Sequence, residues 1–306
     1  MSALVPDAAD EGTHEHDEDL LWSESHYLDA VSSDGGTGVY VRHGRLPNQV
    51  RSHVMLAVVR PGVGPVILAD DRAPLPELRG RDVGLSADAY DLDLTCADPL
   101  RHVRVVGRGR ATAHDHPADA LSGAHGHPVD IDLDLAWTTD AVPFRWRITT
   151  RYEIPCRVTG QVTVDGQRID VDWVGQRDHS WGQRDWWAFD WCWLAVHLED
   201  GSRWHSAAIA GIPTAGTGYL QRVGHVVELN SVDAIAEPTP DGLFGPTTVR
   251  MGPIGRTLHL RPVAFAPVRM ASDAGKVSYF PRATCQVTTD DGRHGIGWME
   301  WNRVQN

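Results

Sequence analysis

This sequence predicts an all-β, antiparallel fold of barrel or sandwich type, and three observations carry the prediction. First, apolar residues alternate with acids. Tyr90, Leu92 and Leu94 alternate with Asp91 and Asp93; Val129, Ile131, Leu133, Leu135 and Trp137 with Asp130, Asp132 and Asp134; Ile169, Val171 and Trp173 with Asp170 and Asp172. Period two with one apolar face describes half-buried strands. Second, Asp-Gly pairs recur at 34–35, 165–166, 200–201, 241–242 and 291–292. Both residues tolerate positive φ, which tight hairpin turns require. Third, no long stretch combines helical periodicity with helix caps.

The elements follow in order. Residues 1–19 are acidic and poor in large apolar groups, and read as a mobile tail. An N-terminal domain spans 20–150, with loops rich in His, Pro and Gly at 61–89 and 114–128. Asp140, Pro143 and Pro155 mark a break near 139–156. A C-terminal domain spans 151–306 and holds most of the tryptophans. In residues 187–197, Trp187, Phe189, Trp191, Trp193, Ala195 and His197 share one face, and Ala188, Asp190, Cys192, Leu194 and Val196 the other. With both faces largely apolar, that strand is central and buried. Its aromatic face lines either a ligand cavity or plain core. His197 and His205 flank the turn at Asp200-Gly201 and read as satisfied core histidines.

Composition excludes several classes. A net charge of −13 argues against nucleic acid and anionic membrane as partners. No run of ~20 apolar residues is present, so no integral membrane segment is expected. No basic-then-apolar leader opens the chain, so no signal peptide is expected. The four cysteines, Cys96, Cys156, Cys192 and Cys285, are scattered without metal-ligand spacing. They suggest buried thiols in a reduced, cytoplasmic protein. Oligomeric state is left open.

Twelve tryptophans are many for 306 residues, and seven lie in 173–204. Among them runs Gly175-Gln176-Arg177-Asp178-His179-Ser180-Trp181-Gly182-Gln183-Arg184-Asp185-Trp186-Trp187. Three more elements accompany it. Glu24-Ser25-His26-Tyr27 matches an "E-S-W-Y" element with His in place of Trp, and Val39–Gln49 matches "Y-x-R-x-G-x-x-P-N-Q". Gly295–Trp301 matches a closing "G-x-G-x-x-E" strand. Together these resemble a family of lipocalin-like proteins that is similar to carotenoid hydratases, kievitone hydratase and the AttH-like proteins. The resemblance covers roughly 20–303. It implies two consecutive antiparallel lipocalin-like (calycin) β-barrel domains packed together. It also implies a hydrophobic ligand such as a prenyl chain or polyene, and hydration or cyclisation chemistry without a cofactor. Fold alone does not fix the reaction.

The residue types suit that chemistry. Hydrating an isolated alkene begins with a strong proton donor, and a buried carboxylic acid can be one. Asp178, set near Trp173, Trp181 and Trp186 in sequence, is the first candidate. Asp185 can share its proton or activate water, and His179 can relay a proton. Indole faces of Trp181, Trp186, Trp187, Trp191 and Trp193 can wall the pocket and favour a developing cation. Tyr27, Arg42, Asn48 and Glu300 are further substrate-binding candidates. The competing reading makes Arg177–Asp178 and Arg184–Asp185 ion pairs that lock a bulge, with Arg42 or Arg303 pairing Glu300. His14-x-His16, His114-x-His116 and His125-x-His127 carry metal-like spacing but no clear third ligand, so no metal is expected. The sequence thus points to a hydro-lyase or an isomerase/cyclase acting on an isoprenoid- or polyketide-like molecule. A non-catalytic carrier of a hydrophobic ligand is the alternative. A purely structural module has the least support.

Overall fold

A computed structural model of the chain describes residues 5–123, 126–222 and 224–305. The first sheet holds β1 (Trp22–Val31), β2 (Gly38–Leu46), β3 (Arg51–Val59), β4 (Val66–Ala73), β5 (Glu77–Arg79), β6 (Asp82–Ala87), β7 (Tyr90–Asp98), β8 (His102–Ala113), β9 (His127–Thr138), β10 (Phe144–Arg145), β11 (Arg151–Val164) and β12 (Gln167–Gln183). Eight of these run in the order β1-β2-β3-β4-β8-β9-β11-β12, with β12 pairing back to β1. They close into a barrel through one narrow seam, where β4 and β8 share only Val66–Ala113 and Ile67–Thr112.

The second sheet holds β13 (Trp191–Leu198), β14 (Arg203–Ile209), β15 (Ile212–Arg222), β16 (His225–Leu229), β17 (Ser231–Pro238), β18 (Phe244–Gly252), β19 (Arg256–Phe265), β20 (Val268–Ala271), β21 (Val277–Phe280), β22 (Arg282–Thr289) and β23 (His294–Gln305). Its order is β16-β15-β14-β13-β23-β22-β19-β18-β17, with β20 and β21 attached beside β23. All pairings are antiparallel, as expected. The second sheet is strongly curved but its ladder stays open among the described residues, so only the first sheet forms a near-closed barrel.

Alternation in the sequence becomes burial. In β9, Val129 to Trp137 face the core, while the aspartates face outward, where Asp134 meets Arg104 at 2.6 Å. All five Asp-Gly pairs lie in turns between strands. At 165–166 the turn has two residues, Asp165 at φ 47° and Gly166 at φ 76°, the twist that joins β11 to β12 without splaying them. A short helix, α1 (Pro117–Ser122), occupies the His-rich loop, started by Pro117 and ended by Gly123 at φ 74°.

Three expectations are corrected. The division at residue 150 does not coincide with the division between sheets: β11 and β12 complete the first barrel, so the 175–187 motif begins there. Residues 139–150 instead cross to the second sheet and return. Val142 exchanges two hydrogen bonds with Gln221, each 2.9 Å, and Phe144 packs on Tyr219. The strand expected at 187–197 begins only at Trp191; it is central and buried between β14 and β23.

The third correction concerns the acidic N-terminus. Residues 5–19 are not a free tail. Asp7 caps a 3₁₀ turn, Ala8–Glu11, which sinks Glu11 into the barrel. There its carboxylate meets Arg177 at 2.7 Å, accepts from Tyr152 Oη, and takes Cys96 Sγ–H at 3.2 Å. Three residues on, the backbone N–H and Nδ1 of His14 lie 3.0 and 2.7 Å from Glu24 Oε1, and Arg45 Nε donates to Glu24 Oε2 at 2.7 Å. Composition suggested disorder because the segment has few apolar groups; its acids dock instead on buried bases.

The β1–β12 ladder is interrupted between Leu28–Arg177 and Val31–Val174. Each freed backbone group finds a side chain. Gln176 N–H donates to Asp29 Oδ1 at 2.8 Å, and His197 Nε2 meets Gly175 O at 3.0 Å. Trp137 Nε1–H donates to Asp29 O at 2.7 Å, and Trp298 Nε1–H to Ala30 O at 3.0 Å. Gly175 is required, since a Cβ there would sit 2.0 Å from Asp29 O. Such irregularities re-aim side chains at functional positions.

Removing one partner of a buried ion pair costs ~3–5 kcal/mol. Glu11→Ala is therefore expected to lower unfolding free energy by about that much in urea titrations near neutral pH; a loss below ~1 kcal/mol would show that the docked segment contributes nothing. Burial raises the Glu11 pKa, but Arg177 and Tyr152 outweigh it and hold it below its ordinary value. Its stabilisation is thus present above the unfolded-state pKa, ~4.3, and fades as pH falls through the lower folded value.

Candidate active site

Between the outer face of the barrel and the second sheet lies a cavity of about 490 Å³. That volume is within the range of small-molecule sites, ~300–1,000 Å³. The barrel supplies Ser25, Tyr27, Arg42, Arg151, Asp178 and Ser180; the second sheet supplies Trp191, Trp193, Ala207, Ile209, Arg282 and Glu300. Trp146 and Trp186 close the sides from the two crossing segments, and the exposed Ile148 and Phe189 stand at the mouth. A larger groove of about 770 Å³ on the outside of the barrel is shallow and edged by solvated charges such as Asp91, Asp93 and Arg108.

Asp178 enters the cavity and is buried. Directly opposite it on β11 stands Glu153, which is fully buried. Two facing carboxylates repel unless something stands between them. Arg151 does so: its Nε donates to Glu153 Oε1 at 2.8 Å and its Nη2 to Asp178 Oδ2 at 2.6 Å. Glu153 also accepts from Gln176 Nε2 at 2.8 Å and Trp193 Nε1 at 3.1 Å. With three N–H donors, Glu153 is the better-solvated anion of the two. Asp178 has one donor. Burial drives its pKa up to about 7, against the pull of Arg151 and with the push of Glu153.

A second acid group lies behind the wall. Tyr27 lines the cavity and donates to Asp29 Oδ2 at 2.9 Å. Burial pushes the Asp29 pKa up to about 8, despite the bonds from Tyr27 and Gln176. Deeper in, Arg282 pairs with Glu300 and lies 4.3 Å from the centre of the Tyr27 ring. Arg42 lies over Trp186 at 4.2 Å, and Arg151 over Trp146 at 4.6 Å.

The structure brings Asp178, Tyr27, Arg42, Glu300, Trp186, Trp191 and Trp193 to one cavity. It separates the others. His179 follows Asp178 on a strand and therefore faces the barrel interior, where Nε2 meets Glu24 Oε1 at 3.1 Å; no relay to Asp178 is available. Trp181 faces inward too, stacked on His14 at 3.7 Å. Asp185 is exposed at the mouth and accepts the Trp187 N–H at 3.0 Å, so it shares no proton with Asp178. Trp187 lines a small cleft beside the cavity. Asn48 holds the N-terminal segment through the carbonyls of Asp17 and Asp19, at 2.8 and 2.7 Å. The suggested pairs also differ: Arg177 serves Glu11, Arg184 serves backbone carbonyls of Thr150 and Trp181, and Glu300 pairs with Arg282 rather than Arg42 or Arg303.

Sequence reasoning missed Arg151, Glu153, Asp29, Arg282 and Trp146. The available signal was Arg151-x-Glu153, two charges at the start of a strand whose opposite face, Tyr152, Ile154, Cys156 and Val158, is apolar. For metals, His14, Glu24 and His179 gather ligand-type atoms within 4.8 Å inside the barrel. Glu24 already receives His14, His179 and Arg45 there, so its oxygens are satisfied by protein donors. His16 does not join them; its Nδ1 meets Asp17 O at 3.0 Å. His116 precedes α1, and His125 lies outside the described residues.

Fold and site together define an antiparallel β-protein of two sheets, one a near-closed barrel, with a cavity between them. The chain belongs to the family described as domain of unknown function DUF7064, which matches residues 7–305. Solved structures share the fold. CghA in a crystal structure with Sch210972 is 14% identical over 92% of this chain and 88% of its own, with a TM-score of 0.60. The AttH-like protein NE1406 of Nitrosomonas europaea is 14% identical over 98% and 97%, with a TM-score of 0.58. Kievitone hydratase of Nectria haematococca is 10% identical over 92% and 89%, with a TM-score of 0.57. Kievitone hydratase and the AttH-like proteins are two of the groups the motif resembles. Comparison with curated proteins finds no match. No helix among the described residues is long and apolar enough to cross a membrane.

Because the Asp178 pKa is raised in the fold, its protonated form stabilises the protein fully below ~pH 4, and that contribution is lost as pH rises through about 7. Asp178→Asn removes the titration. Relative to wild type, the variant is expected to gain stability between pH 5 and pH 8, by on the order of 2–3 kcal/mol in denaturant titrations. A flat difference across that range would mean Asp178 is a permanent anion on Arg151.

Proposed function

We propose that the protein is a cofactor-independent enzyme, a hydro-lyase or cyclase, acting on a hydrophobic small molecule of isoprenoid or polyketide type. The observation that carries this reading is a single one: a carboxyl group with its pKa near neutrality opens into a cavity walled by indoles. Asp178 gives its proton to one carbon of an alkene. The electron-poor neighbouring carbon then receives water, whose proton returns to the Asp178 carboxylate, so the enzyme ends as it began. Dehydration is the reverse. In a cyclisation a second C=C of the same substrate attacks the cation instead of water, and a proton lost from the adjacent carbon returns to the Asp178 carboxylate. Arg151, fixed by Glu153, orients the carboxyl without consuming its proton. Two of the four indoles already carry guanidinium groups, so Trp191 and Trp193 are the faces free to stabilise developing positive charge, each by ~1–2 kcal/mol when dry. The neighbours support the class by likeness of fold, one of them being a named hydratase and another a crystal structure with a small molecule.

One observation favours a carrier. The 2.6 Å contact between Arg151 and Asp178 is also what a permanently charged pair would make. A panel of prenyl and polyene alkenes incubated with the protein, with masses followed over time, separates the two readings. Catalysis changes the mass by one water or gives an isomer; a carrier returns the compound unchanged. Asp178→Asn is expected to slow turnover by ~10²–10⁴, and Asp185→Asn to leave it within a few-fold. Full turnover by Asp178→Asn would remove the assignment.

A further inference from the structure

We infer that the ligand of this cavity carries a planar, singly charged anionic head, a carboxylate, and that Arg42 receives it. The inference rests on the reading of the cavity as a site for an apolar molecule, and specifies that molecule's polar end. Arg42 is 7% exposed and lines the cavity, yet among the described residues it has no hydrogen bond or ion pair to a protein group. Its Nη1 is buried without a partner. A guanidinium taken out of water this way is costly unless a counter-ion arrives. Among the described residues no acid pairs with it directly: Asp178 and Glu300 act on it only through space. Arg151 holds Asp178 and Glu153, Arg282 holds Glu300, and Asp185 is turned to the mouth. Trp186 covers one face of the Arg42 guanidinium and Nη1 is enclosed, so the Nε–Nη2 edge is left as its binding edge.

Charge balance sets the valence. Four arginines line the cavity, Arg42, Arg151, Arg184 and Arg282, against three acids, Asp178, Asp185 and Glu300. Glu153 behind the wall makes four. If Asp178 keeps its proton, three anions face four cations and one negative charge is missing. A monoanion fills that deficit, and a dianionic phosphate would overfill it beside Glu300. Guanidinium meets a carboxylate bidentately, a geometry that a neutral alcohol or ester cannot reproduce.

The test is a tryptophan-fluorescence titration with dodecanoate, dodecan-1-ol and methyl dodecanoate, since four indoles line the cavity. In the wild type, dodecanoate is expected to bind roughly tenfold or more tightly than the alcohol or ester. Arg42→Gln should bring the three ligands within about twofold of one another while leaving the alcohol's affinity unchanged, and Arg42→Lys should keep part of the preference. Equal affinities in the wild type overturn the inference whatever the variants do, and so does a preference that survives Arg42→Gln. If none of the three ligands binds, the apolar site fails too; if the alcohol binds as well as the acid, only the anionic head is lost.

Discussion

Strand β12 is a wall with a different chemistry on each face, and the rest of the structure is arranged around it. Strand geometry sends Arg177, His179 and Trp181 into the barrel and Gln176, Asp178 and Ser180 toward the second sheet. Each inward group is met from below by the N-terminal segment, through Glu11 and His14. Of the outward groups, Gln176 is met by the second sheet, and Asp178 and Ser180 by the neighbouring strands β11 and β1. Tyr219 Oη reaches Gln176 Oε1 at 3.2 Å, and Ser25 faces Ser180 at 3.1 Å. The wall therefore couples the docked N-terminus to the cavity: in one stretch of strand, Arg177 and Trp181 seat the N-terminus while Asp178 and Ser180, between them, face the cavity.

Much of the fold was legible because solvent and core sort side chains strongly in β7, β9 and the first half of β12. The second half of β12 was not, for a physical reason. Both of its faces are polar, so alternation gives no contrast of apolar against charged, and the stretch carries no strand signal. Reading it as a strand would have separated His179 from Asp178 at once. The tail was misread on the same ground. Its acids are solvated in any isolated sequence, and only the register of β11 and β12 reveals buried bases to receive them. The chemistry was legible in kind, since Asp178, Tyr27, Arg42, Glu300 and three tryptophans reach one cavity. Its partners were not, because Glu153 faces Asp178 across a ladder that no local pattern encodes.

Arg151 resolves what would otherwise be an unstable arrangement. Two buried carboxylates with no cation between them would both protonate, and the site would lose its polarity. With two cations, both would ionise, and the site would lose its acid. One guanidinium is hydrogen-bonded to both acids, and burial with the Glu153 charge pushes the Asp178 pKa up against the pull of Arg151, Arg42 and Arg282. Gln176 and Trp193 donate to Glu153 and not to Asp178, which favours the charge on Glu153.

The location of the cavity explains how such costly groups are tolerated. The barrel has its own apolar core, running through Val105, Leu135 and Trp137, and the second sheet has another, through Leu194, Val249 and Leu258. The cavity belongs to neither. It sits in the seam where Tyr40, Trp193, Tyr219 and Trp298 pack the two halves together. Desolvated charge in a core would have to be offset by that core alone. At the seam it lies between two bodies with apolar cores of their own, and the surrounding aromatics supply ring faces for the guanidinium groups. A protonated Asp178 and an unpartnered Arg42 would be defects of folding in either sheet. Between the sheets they leave each core intact, and the space they face is where a ligand can satisfy them.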